Sequence, residues 1–219
     1  MDLQWKKVGA LCGILAGVHF VLITFVIMAI YPGGYNFLLN YFSELGLTVT
    51  EGVPTPADYI LFSIACTLAA VFSVPFWLTL RLFFTEPPRL NYLSWLGTIL
   101  GLAAAPFLSA LALFAGNVFP SQHGWSTLLF FLLFSSAIIV YSIAIFLHKS
   151  YGYPFGLIGV VVAIICYGHV LIPGMGTALI QKIAVYGLIL WSAFQGIRLL
   201  QYLRRPAEEK RPPRRKRRS

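Results

Sequence analysis

VGALCGILAGVHFVLITFVIMAIY, residues Val8 to Tyr31, contains no Asp, Glu, Lys or Arg in 24 residues. A hydrocarbon layer about 30 Å thick is crossed by about 20 apolar helical residues. The stretch is too long for the apolar part of a cleaved leader. It also lacks a small-residue cleavage site before polar sequence, so it reads as a retained span. Five further runs of the same kind follow, at about Tyr59–Phe84, Tyr92–Ala115, Trp125–His148, Tyr153–Pro173 and Ala178–Tyr202. The expected fold class is all-α: a polytopic membrane bundle of six transmembrane helices over residues 1–203. A disordered polybasic tail is expected at 204–219, where charge and proline oppose helix growth.

Composition excludes the main alternatives. Hydrophobic residues make up 58% of the 219, and charged residues only 11%, against about 25% in a soluble domain. Mean hydropathy is +0.80. Such a chain has too little polar surface for a cytosolic enzyme and too much apolar surface for a disordered one. Cys12, Cys66 and Cys166 all lie in apolar runs and form no Cys-x-x-Cys pair, so they read as buried free thiols.

The net charge of +9 is concentrated at one end: residues 198–219 carry ten Lys/Arg and two Glu, leaving +1 for all the rest. Lys6, Lys7, Arg81, Arg89, Lys149 and the tail fall on one side of a six-span topology. Only Lys182 falls on the other. The positive-inside rule places both termini in the cytoplasm of a plasma membrane. Trp5, Tyr31, Tyr59, Tyr92, Trp125 and Tyr202 at span ends fit an interfacial aromatic belt. A polybasic segment beside a span attracts anionic lipid headgroups. Nucleic-acid contact is the less favoured reading of that charge.

The long outer loop, about Pro32 to Asp58, contains Tyr35-Asn-Phe-Leu-Leu-Asn-Tyr-Phe-Ser-Glu-Leu-Gly46. Its apolar residues recur at helical spacing and Gly46 is a stop signal. A short amphipathic helix is expected there, lying in the interface or tucked over the bundle. Gly9, Gly13 and Gly17, and Gly97 and Gly101, mark faces for close helix packing, either within the bundle or in a homo-oligomer. Pro75 and Pro106 are expected to kink spans two and three.

Polar groups that could carry chemistry gather near the outer leaflet: Ser43, Glu44, Asn117, Ser121, Gln122, His123 and, within span five, His169. Ionisable groups at membrane depth are costly and tend to be functional. A hydrolase would use Glu44 or a histidine as general base. A metal site would use His123, His169 and Glu44, although no local ligand spacing joins them. Haem would need His19 and His169 as axial ligands from two spans. The plainer reading is that Glu44 and His123 cap helix ends and pin the loop. Spans two to four carry no mid-membrane acid, which argues against carboxylate-relay transport.

Tyr41-Phe-Ser-Glu-Leu-Gly46, followed by Pro56 and Phe62, resembles the Ser-acid-Leu-Gly stretch of a prokaryotic membrane family catalogued as domain of unknown function 998. Gly116-Asn-Val-Phe-Pro120 with His123 resembles its Phe-Pro and His motif before helix four. The resemblance covers roughly residues 8–202. It implies a six-helix bundle distantly similar to the Frag/DRAM/Sfk proteins, and no established activity. Its motif positions here are Ser43, Glu44, Leu45, Gly46, Phe119, Pro120 and His123. Many relatives have Asp in place of Glu44 and a second His after the Phe-Pro. Here the next His is His148, at the far end of the span.

The reading adopted is a membrane protein that binds lipid or a small ligand, or organises the membrane. Its outer-face polar site comprises Ser43, Glu44, Asn117 and His123, and it has no cofactor or metal. The competing reading is an intramembrane lipid-directed hydrolase or transferase using Glu44 and His123 with His169 in support.

Overall fold

The computed structural model describes residues 3–148 and 150–209, with side chains as far as Leu203. Its helices are α1 (Leu3–Ile30), α2 (Pro56–Leu80), α3 (Pro88–Leu113), α4 (Pro120–Leu147), α5 (Tyr153–Leu171) and α6 (Ala178–Glu209). All six contain a segment long and apolar enough to cross a membrane. Helices α2, α3 and α4 begin at a proline. A proline in the first turn has its φ preset and gives up no hydrogen bond that the helix needs. These helices therefore start a few residues before the apolar pattern does. At the other end, α6 continues to Glu209, past the point where the tail was expected to begin. The rest of that tail lies outside the described residues.

The helices form a ring in chain order, closed by α1 against α6, with α2 also touching α6 across the middle. The glycine faces are used inside this ring. A Cβ on Gly13 would lie 2.5 Å from the Phe76 ring of α2 and 3.1 Å from the Ser192 carbonyl of α6. The backbone of α1 thus fits between its two neighbours only because that side chain is absent. Helices α2 and α3 run unbroken through Pro75 and Pro106. Cys12, Cys66 and Cys166 are buried free thiols, as expected.

One end of the ring holds the long loop and the α3–α4 and α5–α6 turns; here it is called the loop end. The short helix expected in the loop is a five-residue 3-10 helix, Phe42–Gly46, with Phe42 and Leu45 buried. The residues before it turn instead of extending it. Asn36 Oδ1 accepts from the Leu38 and Leu39 amides, and Asn40 Oδ1 accepts from the Asn36 amide. Such side-chain bonds compete with helix formation. Gly46 is not a left-handed stop; a Cβ there would lie 2.4 Å from the Phe62 ring, so the glycine lets the loop sit on α2. A two-residue hairpin follows, β1 (Val49–Thr50) against β2 (Val53–Pro54). Its turn residues Glu51 and Gly52 have φ of 50° and 76°, the positive values that a tight hairpin turn requires.

The opposite end of the ring is packed solid with aromatic rings. Trp77 stacks on Tyr141 at 5.7 Å and meets Phe134 edge-on at 5.1 Å. Trp77, Tyr141 and Trp191 are fully buried.

Candidate ligand cavity and its roof

Above that aromatic floor the ring does not close on itself. Helices α1, α2, α3, α4 and α6 line a cavity of about 110 Å³ that is open at its mouth. It reaches from Phe76 and Phe134 at the floor to Phe42 and Ser43 of the 3-10 helix, which form the roof. Among the described residues its lining contains no Asp, Glu, Lys, Arg or His; the polar contributors are Ser43, Ser73, Thr127, Gln181 and Ser192. A concave, largely apolar lining with a few placed polar groups is the usual form of a small-molecule site.

Glu44 does not line this cavity. It sits beside it and organises the roof. Its Oε2 accepts from Asn40 Nδ2 at 2.6 Å and from the Tyr31 hydroxyl at 3.3 Å, and its Oε1 accepts from the Tyr41 amide at 3.1 Å. Three donors on one carboxylate are what an ionised glutamate satisfies best. The Asn40 carbonyl in turn accepts from the Tyr35 hydroxyl and from Lys182 Nζ. The Lys182 ammonium lies 5.2 Å from the Tyr35 and Phe37 ring centres and 5.5 Å from that of Phe42, within cation–π range. Burial, and then the Glu44 charge, push the Tyr31 phenol up to about 12 and move Tyr35 in the same direction. Both phenols therefore stay protonated, and able to donate, through neutral and mildly alkaline pH.

The roof is also tied to the neighbouring turns. The Tyr41 hydroxyl donates to the Gly176 carbonyl at 2.7 Å, and the Phe42 amide donates to Gln181 Oε1 at 2.8 Å. On the other side Asn117 clamps Thr48, accepting from its amide at 3.3 Å and donating to its hydroxyl at 3.0 Å. His123 Nδ1 lies 2.7 Å from the Leu111 carbonyl and 3.1 Å from the Phe114 carbonyl. Carbonyls only accept, so Nδ1 carries the proton, and the ring closes the last turn of α3. His123→Ala leaves those carbonyls without that donor and is expected to lower stability by about 1–3 kcal/mol. The measurement is thermal unfolding in detergent; Ser121→Ala, at an exposed neighbour, should leave the transition where it is.

Of the polar residues expected to form one site, Ser43 alone lines the cavity. Glu44 and Asn117 hold the roof from outside, and His123 closes the end of α3. His169 lies on α5 against the Phe131 ring at 5.2 Å, with Nδ1 buried. Among the described residues no hydrogen bond joins Glu44, His123 and His169, and no group of three His, Cys, Asp or Glu could hold a metal ion. The haem pairing meets a geometric obstacle. His19 turns its two ring nitrogens toward the Leu15 and Ala65 carbonyls and meets Phe72 of α2 edge-on, whereas His169 packs on α4. Tyr31, assigned to the interfacial belt, is buried instead in the roof. Sequence reasoning missed Ser73, Thr127, Gln181 and Ser192. Lys182 did carry a signal, as the one base on its side of the topology.

Comparisons of the chain with known protein families, with curated proteins and with solved structures found no match.

Proposed function

We propose that this chain is a multi-pass protein of the plasma membrane, with both termini in the cytoplasm, that binds a lipid or small apolar molecule in the loop-end cavity. The observation that carries the proposal is an uncharged, phenylalanine-rich cavity beneath a roof fastened by Glu44 and Asn117. The clustering of Lys6, Lys7, Arg81, Arg89 and Arg198 toward the other end supports an orientation with the cavity in the outer leaflet. The basic residues that follow α6 would hold that end against anionic headgroups. The two segments behind the family resemblance fit this reading: one supplies the Ser43 roof, and the other supplies Asn117, which clamps the loop at Thr48, and His123, which closes the end of α3.

Filling the cavity tests the proposal. Ala69 and Ala16 line it, and leucine at either position takes up part of its volume. A ligand at 100 times its Kd stabilises a protein by about 2.7 kcal/mol. Lipid extract from the host membrane is therefore expected to raise the unfolding temperature of the wild type by several degrees. Ala69→Leu and Ala16→Leu should lose that increment while keeping the helical content. An equal rise in all three proteins would place binding elsewhere.

A further inference from the structure

Given the cavity-binding function just proposed, on which this rests, the polar lining specifies the chemistry of the ligand's head. Gln181 donates or accepts according to how its amide is turned, and the Phe42 amide settles that: a backbone N–H requires Oε1 opposite it, at 2.8 Å. The Gln181 NH₂ is left as a donor on the cavity wall. Thr127 supplies a second. Threonine in a helix usually returns its hydroxyl to a carbonyl one turn back, as Thr24 does to Phe20 at 2.9 Å. Thr127 Oγ1 is buried on the cavity wall with no partner among the described residues. A buried hydroxyl without a partner is costly, and a ligand atom that pairs with it recovers that cost.

Charge on the ligand is disfavoured by the same lining. Among the described residues no charged side chain lines the cavity, and a buried charge without a partner is among the most expensive arrangements in a protein. The nearest cation by position in the chain, Lys182, is held in the roof by the Asn40 carbonyl and the rings of Tyr35, Phe37 and Phe42, and it does not line the cavity.

We propose that the cavity selects an apolar molecule whose head is an uncharged acceptor oxygen, an ester or ketone carbonyl, held by the Thr127 hydroxyl and the Gln181 amide. A carboxylate, phosphate or ammonium head is excluded. The body of the molecule lies along the phenylalanines toward Phe76 and Phe134.

Three probes with the same chain separate the possibilities: methyl oleate, oleate at pH 9 and the hydrocarbon 8-heptadecene. Each is titrated into the full-length protein at equal mole fraction in the micelle and read by native mass spectrometry. Methyl oleate is expected to bind at least tenfold more tightly than either of the others. Thr127→Val, which keeps the side-chain shape, should bring the ester down to the hydrocarbon's affinity. The ligand-free protein should melt no lower in that variant, because the unpaired hydroxyl is gone. Equal binding of ester and hydrocarbon by the wild type overturns the head-group assignment and leaves the cavity function standing. Tightest binding by oleate overturns the exclusion of charge. Binding of none of the three, or equal binding in Ala69→Leu, overturns the cavity function itself.

Discussion

Gly101→Val is expected to destabilise the bundle by about 3 kcal/mol or more. Gly101 faces the indole of Trp77, and a Cβ there would lie 2.3, 2.4 and 2.6 Å from three of its ring atoms. Trp77 cannot give way. It is fully buried, with Tyr141 stacked at 5.7 Å, Phe134 and Phe76 at 5.1 Å and Trp191 at 5.9 Å. Overpacking a filled core costs about 1–3 kcal/mol and sometimes more; a β-branched side chain placed against a boxed indole belongs at the upper end. Gly124→Ala is the matched control. It lies within α4, and a Cβ there meets nothing within 4 Å. Alanine should be neutral there, or stabilising by up to about 1 kcal/mol on helix propensity. Thermal unfolding in detergent, followed by circular dichroism, separates the two. A Gly101→Val protein that melts with the wild type would mean that α2 and α3 do not pack as described.

Glu44→Ala carries the second large effect, and it is local. The carboxylate satisfies Asn40, Tyr31 and the Tyr41 amide together. Hydrogen bonds to a charged group contribute about 1.5–3 kcal/mol each. Glu44 is partly exposed, so water replaces some of the loss. The expected cost of closing the roof is about 2–4 kcal/mol, with the six helices left intact. Hydrogen exchange is the direct measurement: amides of Phe42–Gly46 should exchange roughly 30 to 900 times faster, while those of α3 and α4 stay protected. Glu44→Gln should fall between. Its amide keeps one acceptor oxygen but turns an N–H toward a donor at the other position. Unchanged exchange in Glu44→Ala would remove Glu44 from the roof and return it to consideration as a reactive group.

The six spans were readable because charge is absent over stretches long enough to cross a bilayer, a property local to each segment. Their starts were less readable, because Pro56, Pro88 and Pro120 open helices in sequence that is not yet apolar. Glu44 and His123 stood out as polar residues in apolar surroundings, and the capping-and-pinning reading matches the bonds they make. The loop misled in one respect. Leu38 and Leu39 fit a helical period but are 60% and 73% exposed, because Asn36 and Asn40 fold the chain back on itself there. Glu51-Gly52 gives no sequence sign of the hairpin turn it forms, since glutamate is an uncommon residue at positive φ. The cavity had no local signature at all. Its walls are ordinary Phe, Leu, Ala and Ser from five helices, and only their convergence in space distinguishes them. Thr127 looks like any threonine in an apolar run until its missing partner is seen.

Native mass spectrometry of the protein, extracted gently from its own membrane, tests the central claim most directly. The expected spectrum shows one apolar, uncharged molecule retained per chain in the wild type and absent from Ala69→Leu at equal helical content. A wild type that carries no such molecule, or an Ala69→Leu protein that carries it equally, would contradict a ligand site in the loop-end cavity.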